Sequence, residues 1–181
     1  MTIVAGVVDK NGDVFMGCDS IGTNGFIYSC REEPKIFKNG DFLIGYTTSF
    51  RFGQLLEHSF KPPRHHKKDS DYKYMCTHFI DEVRKCLKGG GYAKKDKEEE
   101  SGGTCLIGYH EALWEMKDDY EIAKAPGGIG AVGSGSYTAY GAMHALKREN
   151  PKVRIKAGLE AAEAIIVTTR GPFHYMKLKA G

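Results

Sequence analysis

Threonine stands directly after the first methionine, and that pairing opens one specific chemical route. Initiator methionine is usually trimmed before a small residue. Trimming before Thr2 leaves a hydroxyl and a free α-amine on the same residue. An α-amine titrates near about 7.7–8.0, so a useful fraction is neutral around pH 7. It can then take the proton of its own hydroxyl, directly or through one water, and so activate an otherwise weak nucleophile. The dipeptide alone decides nothing. The other reactive side chains are less organised. Cys18, Cys30, Cys76, Cys86 and Cys105 are odd in number, irregularly spaced and without a CxxC pair, which suggests neither a zinc site nor a disulfide framework. Free thiols fit a reducing, intracellular setting. The seven histidines show no metal-binding spacing, and His65-His66-Lys67-Lys68 reads as a solvated loop. No metal and no cofactor is expected.

The elements that must position Thr2 are legible from periodicity and turn chemistry. Thr2 to Val8 is an apolar, β-branched run and reads as a strand. Lys10-Asn11-Gly12-Asp13 is a hairpin turn, with Asn-Gly supplying positive φ, and Val14 to Cys18 is the return strand. Phe26 to Tyr28, Lys35 to Phe37 and Phe42 to Thr47 are further short strands, with a turn at Asn39-Gly40-Asp41. The period then changes. Phe52, Leu55, Leu56 and Phe60 share a helical face, and Pro62-Pro63 ends that helix. A second helix starts near Asp71, carries Tyr72, Met75, Phe79, Val83, Cys86 and Leu87 on its apolar side, and stops at Gly89-Gly90-Gly91. Residues 92–103 read as an exposed charged loop. Strands at Thr104 to Tyr109 and Ala112 to Met116 follow, then a loop through Pro126-Gly127-Gly128. Helices over Tyr137 to Glu149 and Arg154 to Ile166 and a strand over Pro172 to Lys179 close the chain. Two antiparallel sheets with helices packed outside them bury all these faces, in a single domain spanning residues 1–181.

Three sequence blocks then fall in a familiar order. Gly17-Cys18-Asp19-Ser20-Ile21-Gly22-Thr23 resembles the G-x-D-S-x-[AG]-T segment of proteasome β subunits and the HslV-type protease. Pro34-Lys35-Ile36-Phe37, followed by Ile44-Gly45-Tyr46-Thr47, resembles their lysine strand and the turn after it. Val132-Gly133-Ser134-Gly135-Ser136 with Ala139-Tyr140-Gly141 resembles their GSGS…AYG segment at a helix start. The resemblance spans essentially the whole chain, and is nearest to short proteasome-like proteins of bacteria and their phages. It implies an N-terminal-nucleophile (Ntn) hydrolase: a four-layer αββα sandwich of the α+β class.

The resemblance also implies roles. Thr2 is nucleophile and, through its amine, base. Lys35 is a permanent positive charge beside it that lowers the pKa of the hydroxyl and amine. Asp19 holds Lys35, Ser134 assists proton traffic near the amine, and the Ser49 N–H faces the developing oxyanion. Thr23, Thr47 and Arg51 are candidate substrate-binding residues. Each residue also has a plain structural reading: Asp19 as a turn cap, Lys35 as a solvated strand-edge lysine, Ser134 as an N-cap. The first hairpin carries about one residue more than the family pattern, so that residue either bulges out or shifts the register of Thr2. Where the family has late acidic and serine residues, this chain has Thr168, Thr169 and Arg170.

The bulk properties bound the function. Of 181 residues, 41% are hydrophobic, enough for a core, and the net charge of +3 is spread along the chain, which gives no footprint for nucleic acid. No apolar run is long enough to span a membrane, and the start of the chain lacks the positive region of a signal peptide. A cytoplasmic location follows as the expectation. The resemblance implies a threonine peptidase in a homo-oligomeric, stacked ring that cleaves peptides or unfolded proteins, with an AAA+ unfoldase as a possible partner. A catalytically silent ring-forming subunit and a small-molecule amidase are the alternatives on the same fold.

Overall fold

The computed structural model describes residues 2–24, 26–97 and 99–181; Met1, whose removal the chemistry above requires, lies outside them. The chain builds two central antiparallel sheets. In the first, β1 (Ile3–Val8) pairs with β2 (Val14–Cys18) and with β12 (Ile129–Gly133), and β13 (His174–Leu178) adds to β2, giving the order β12-β1-β2-β13. The second runs β11-β10-β9-β6-β5, from β5 (Ile36–Asn39), β6 (Phe42–Tyr46), β9 (Cys105–Tyr109), β10 (Ala112–Met116) and β11 (Ile122–Lys124). Two small ribbons stand apart: β3 (Ile21–Asn24) with β4 (Ile27–Cys30), and β7 (Lys94–Asp96) with β8 (Glu99–Ser101).

Side-chain alternation explains why β1 is apolar at every position. Ile3, Ala5 and Val7 face one way, onto Met143 of α4 (Ser136–Ala145) and Ile155 and Leu159 of α5 (Pro151–Ile165). Val4 faces the other way, into the space between the sheets with Met16, Ile36, Leu43, Leu106 and Leu113. A strand covered on both faces reads as a continuous hydrophobic run. The second sheet repeats the logic. Phe42, Ile44, Tyr46, Ile107, Tyr109 and Trp114 point outward onto Leu55 and Leu56 of α1 (Phe50–His58), Tyr74 of α2 (Asp71–Tyr74) and Val83 and Leu87 of α3 (Ile80–Gly89). Each such side chain contributes about 1.5–3 kcal/mol on burial. The layers are therefore helices, sheet, sheet, helices: the expected αββα sandwich.

Differences from the sequence expectation are local. A π-helical turn at Met75–Phe79 joins α2 to α3. Residues 92–103 carry the charged ribbon β7–β8, where Lys95 pairs across from Glu100 and Glu100 meets Arg84 at 2.9 Å. The third helix stops at Ala145, because Asn150 caps the next helix through Val153 N and Pro151 takes its first turn. Strands β11 and β12 occupy a stretch expected to be loop. Among the described residues no helix is long and apolar enough to cross a membrane.

Candidate active site

Strand register carries the candidate residues to one place. The β1–β2 ladder runs unbroken from Val8↔Val14 to Val4↔Cys18, so no bulge interrupts the two strands between the turn at residues 9–13 and the end that carries Thr2 and Asp19. One step beyond the ladder, Asp19 N donates to Ile3 O at 3.3 Å and the Ile3 N–H donates to Asp19 Oδ1 at 3.1 Å. On the other side of β1, Ile3 pairs with Gly133, and Ser134 N donates to Thr2 O at 2.9 Å. Gly133 has φ +102, and a Cβ there would lie 2.1 Å from Thr2 O, so only glycine fits between β12 and Thr2. Lys35 enters from the start of β5, fixed by Tyr46 N donating to its carbonyl at 3.0 Å.

The side chains then meet. Lys35 Nζ donates to Thr2 Oγ1, to Asp19 Oδ1 at 2.7 Å and to the Ile21 carbonyl at 2.6 Å. Thr2 Oγ1 in turn donates to Asp19 Oδ1. All three residues are buried, with Lys35 2% and Asp19 0% exposed. An ammonium and a carboxylate thus clasp one alcohol. Burial pulls the Lys35 pKa down, the adjacent Asp19 carboxylate pulls it up, and the net direction is below an ordinary lysine. The expected permanent cation is therefore a lysine made more willing to give up its proton. Asp19 Oδ2 is buried without a hydrogen-bond partner among the described residues.

Thr2, Lys35, Thr23, Thr47 and Ser49 line a cleft of about 110 Å³, together with Ile21, Gly22, Tyr46, Thr48 and Phe50. Thr47 is tied down by its N–H and its hydroxyl, which both donate to the Thr104 carbonyl, at 3.0 and 3.1 Å. Arg51 is exposed on α1 and is not among the lining residues. Ser49 caps α1, its Oγ accepting from Arg51 N. Its own N–H donates to the Thr47 carbonyl at 2.7 Å, closing a tight turn around Thr48 at φ 67. That N–H is therefore engaged by the chain rather than held free towards the cleft. Ser134 Oγ reaches the Thr2 carbonyl at 3.3 Å and the Thr168 hydroxyl at 3.0 Å.

Sequence reasoning left out the partners that come from far along the chain. The segment after α5 runs beneath the site: Thr168 joins Ser134, the Ser20 N–H donates to the Arg170 carbonyl at 3.2 Å, and Ser20 Oγ donates to the Pro172 carbonyl. The late threonines were visible only as the residues replacing the family's acidic and serine pair. Phe50 was unmarked as well. Its ring lies under the Arg31 guanidinium at 4.3 Å, and a Cβ on Gly22 would come within 2.8 Å of it, so Phe50 walls the cleft closely. Cys18 neighbours Asp19, but burial pushes its thiol up to about 12, so it is a core residue rather than a nucleophile.

No protein-family model and no curated protein matches the sequence. Solved structures do match. BPH of Thiobacillus denitrificans, in complex with Epoxomicin, superposes with a TM-score of 0.82 at 23% identity, covering 99% of this chain and 100% of that one. BPH alone gives the same TM-score and identity, covering 99% of each chain. Eukaryotic HslV from Trypanosoma brucei gives 0.68 at 18% identity, over 98% of this chain and 99% of that one. The chain therefore shares its αββα fold with BPH and with HslV.

Proposed function

We propose that this chain is a threonine-type peptidase subunit of a self-compartmentalising ring, with Thr2 as nucleophile once Met1 is removed. The observation that carries the reading is the burial of Thr2 Oγ1 between Lys35 Nζ and Asp19 Oδ1 at the floor of a cleft. A threonine placed only for packing has no need of a buried ammonium on its hydroxyl, because burying a charge is costly unless it is used or paired.

In the proposed reaction the Thr2 α-amine takes the hydroxyl proton as Oγ1 attacks a peptide carbonyl. The amine then protonates the departing nitrogen. An ester to Thr2 forms, and water hydrolyses it with the amine again as base. Lys35 stabilises negative charge growing on Oγ1, and Asp19 keeps Lys35 in place. Ser134, held by Thr168, fixes the Thr2 main chain. The Ser49 N–H can serve the oxyanion only after releasing the Thr47 carbonyl, a rearrangement of one tight turn. Thr23 and Thr47 line the channel that a peptide would occupy. The proposed assembly is a homo-oligomeric ring, stacked on a second, with an AAA+ unfoldase as partner, in keeping with the likeness to HslV.

The engaged Ser49 N–H favours one other reading, a catalytically silent ring subunit on the same fold. Intact-protein mass and a fluorogenic peptide assay separate the two. The peptidase reading expects loss of one methionine, peptide turnover, and loss of both turnover and epoxomicin binding in Thr2→Ala. Retained methionine with no turnover supports the silent subunit. Turnover of small amides but not peptides would support an amidase. Undiminished peptide cleavage by Thr2→Ala removes Thr2 from the mechanism.

A further inference from the structure

At the far end of the second sheet, residues 65, 71 and 110 converge although nothing in their spacing suggests it. We propose that His65, Asp71 and His110 bind one borderline-soft divalent cation of the zinc type. One donor atom from each lies within 4.8 Å of the other two. His110 Nδ1 is 2.9 Å from Asp71 Oδ1, and His65 Nδ1 is 3.8 Å from the same oxygen. Zinc takes imidazole nitrogen at about 2.0–2.1 Å and carboxylate oxygen at about 2.0–2.2 Å, which sets tetrahedral ligand atoms roughly 3.3–3.5 Å apart. The observed pair of separations brackets that spacing. Two imidazoles and one carboxylate are also the donor set of known three-ligand zinc sites that keep a fourth position for water.

A second observation fixes the donor atom. His65 Nε2 lies 2.9 Å from the Asp69 carbonyl, which can only accept, so Nε2 carries the proton and Nδ1 presents its lone pair. An imidazole whose far nitrogen donates to a backbone carbonyl is the usual outer support of a metal-bound histidine. Without metal, the Nδ1 lone pair accepts from the Tyr109 hydroxyl at 2.8 Å. His110 Nδ1 faces a carboxylate and so carries a proton. To ligate through Nδ1 the neutral ring takes its other tautomer, with the proton on Nε2, and the cation then stands between that lone pair and the Asp71 carboxylate.

The backbone presents these groups at some cost. His110 and Glu111 form the two-residue turn between β9 and β10 at φ 44 and 58, a conformation that favours Asn-Gly. The turn projects His110 towards Asp71, the first residue of α2, while His65 stacks on Tyr74 at 4.3 Å. The cluster lines an open cavity of about 700 Å³ that also holds Asp41 and Asp69, balanced by Arg64 and Lys67. Phe42 lines this cavity and Tyr46 lines the Thr2 cleft, so β6 separates the two sites by four residues, about 13 Å. A cation here clips the α1–α2 connection to the β9–β10 turn and takes no part in chemistry at Thr2.

The test uses the full chain, stripped with chelator, and Zn2+ or Co2+ alone. Calorimetry should give one Zn2+ per chain, and Co2+ should give a visible absorption of low-symmetry coordination. Loss of an outer support typically weakens a metal site 10–100-fold, so Asp71→Asn and His110→Ala should weaken binding by at least that factor. His58→Ala, an exposed histidine outside the cluster, should bind as the parent does. Zn2+ at a hundredfold excess over Kd should raise the folded-to-unfolded ratio about 100-fold in the parent and not in Asp71→Asn. Asp71→Asn replaces a partly exposed side chain with one of its own shape, which keeps the test valid should His110→Ala fail to fold. An absence of one-to-one binding, or binding unchanged in either variant, overturns the assignment.

Discussion

Replacing Asp19 with asparagine changes the charge at the site and almost nothing of its shape. In the native chain Asp19 Oδ1 accepts from Thr2 Oγ1, from Ile3 N and from Lys35 Nζ. The amide keeps an acceptor oxygen but removes the counter-charge of a lysine that is 2% exposed. Lys35 must then stay charged and unpaired or shed its proton. Removing one partner of a buried pair costs about 3–5 kcal/mol. The sign of the pH dependence follows from burial, which already holds Lys35 below its ordinary 10.5. Between the folded-state value and 10.5 the unfolded chain binds more protons, so stability rises with pH, by at most about 1.4 kcal/mol per unit. Asp19→Asn moves the lower edge of that window further down. Across the added interval the variant gains on the parent as pH rises. The loss of stability should therefore be largest on the acid side and shrink towards alkaline pH. Urea denaturation of both proteins from about pH 6 to about pH 10, with matched m-values, measures this directly. A loss under about 1 kcal/mol, or one that grows with pH, refutes the account of Lys35 as a buried cation held by Asp19.

Other consequences are simpler to test. A methyl group at Gly45 would stand 2.4 Å from Val4 Cγ1, between the two sheets, so Gly45→Ala should cost about 1–3 kcal/mol and lower Tm by roughly 2–4 °C per kcal/mol in calorimetry. Ser49→Ala removes the acceptor for Arg51 N and should cost about 0.5–2 kcal/mol of stability while leaving the backbone N–H in place, so peptide turnover should survive. Thiol titration of the native chain should find Cys30 and Cys76 reactive, Cys86 slower, and Cys18 and Cys105 silent until denaturant is added, because burial holds both buried thiols far above neutral pH.

The strands and helices that were legible are those whose pattern is set by their own burial. The apolar run of β1 announced a strand covered on both faces, and Asn11-Gly12 marked the turn between β1 and β2. Strand β12 was hidden because its sequence, Ile-Gly-Ala-Val-Gly, lacks the bulk that signals a strand, and Pro126-Gly127-Gly128 just before it reads as loop. Its glycines are required by its neighbours. Gly130 pairs with Gly6 across from Leu106, and Gly133 clears the Thr2 carbonyl. Ser134 was thus marked by its motif while the strand that delivers it was not. The same limit explains Thr168 and the His65, Asp71 and His110 cluster. Periodicity reports what each element buries, but it is register that decides which ends meet. A shift of β12 by one residue against β1 would exchange the faces of Ile129 and Val132 and would carry Ser134 away from Thr2 and from its Thr168 partner. The candidate chemistry therefore depends on the one strand whose own sequence least declares it.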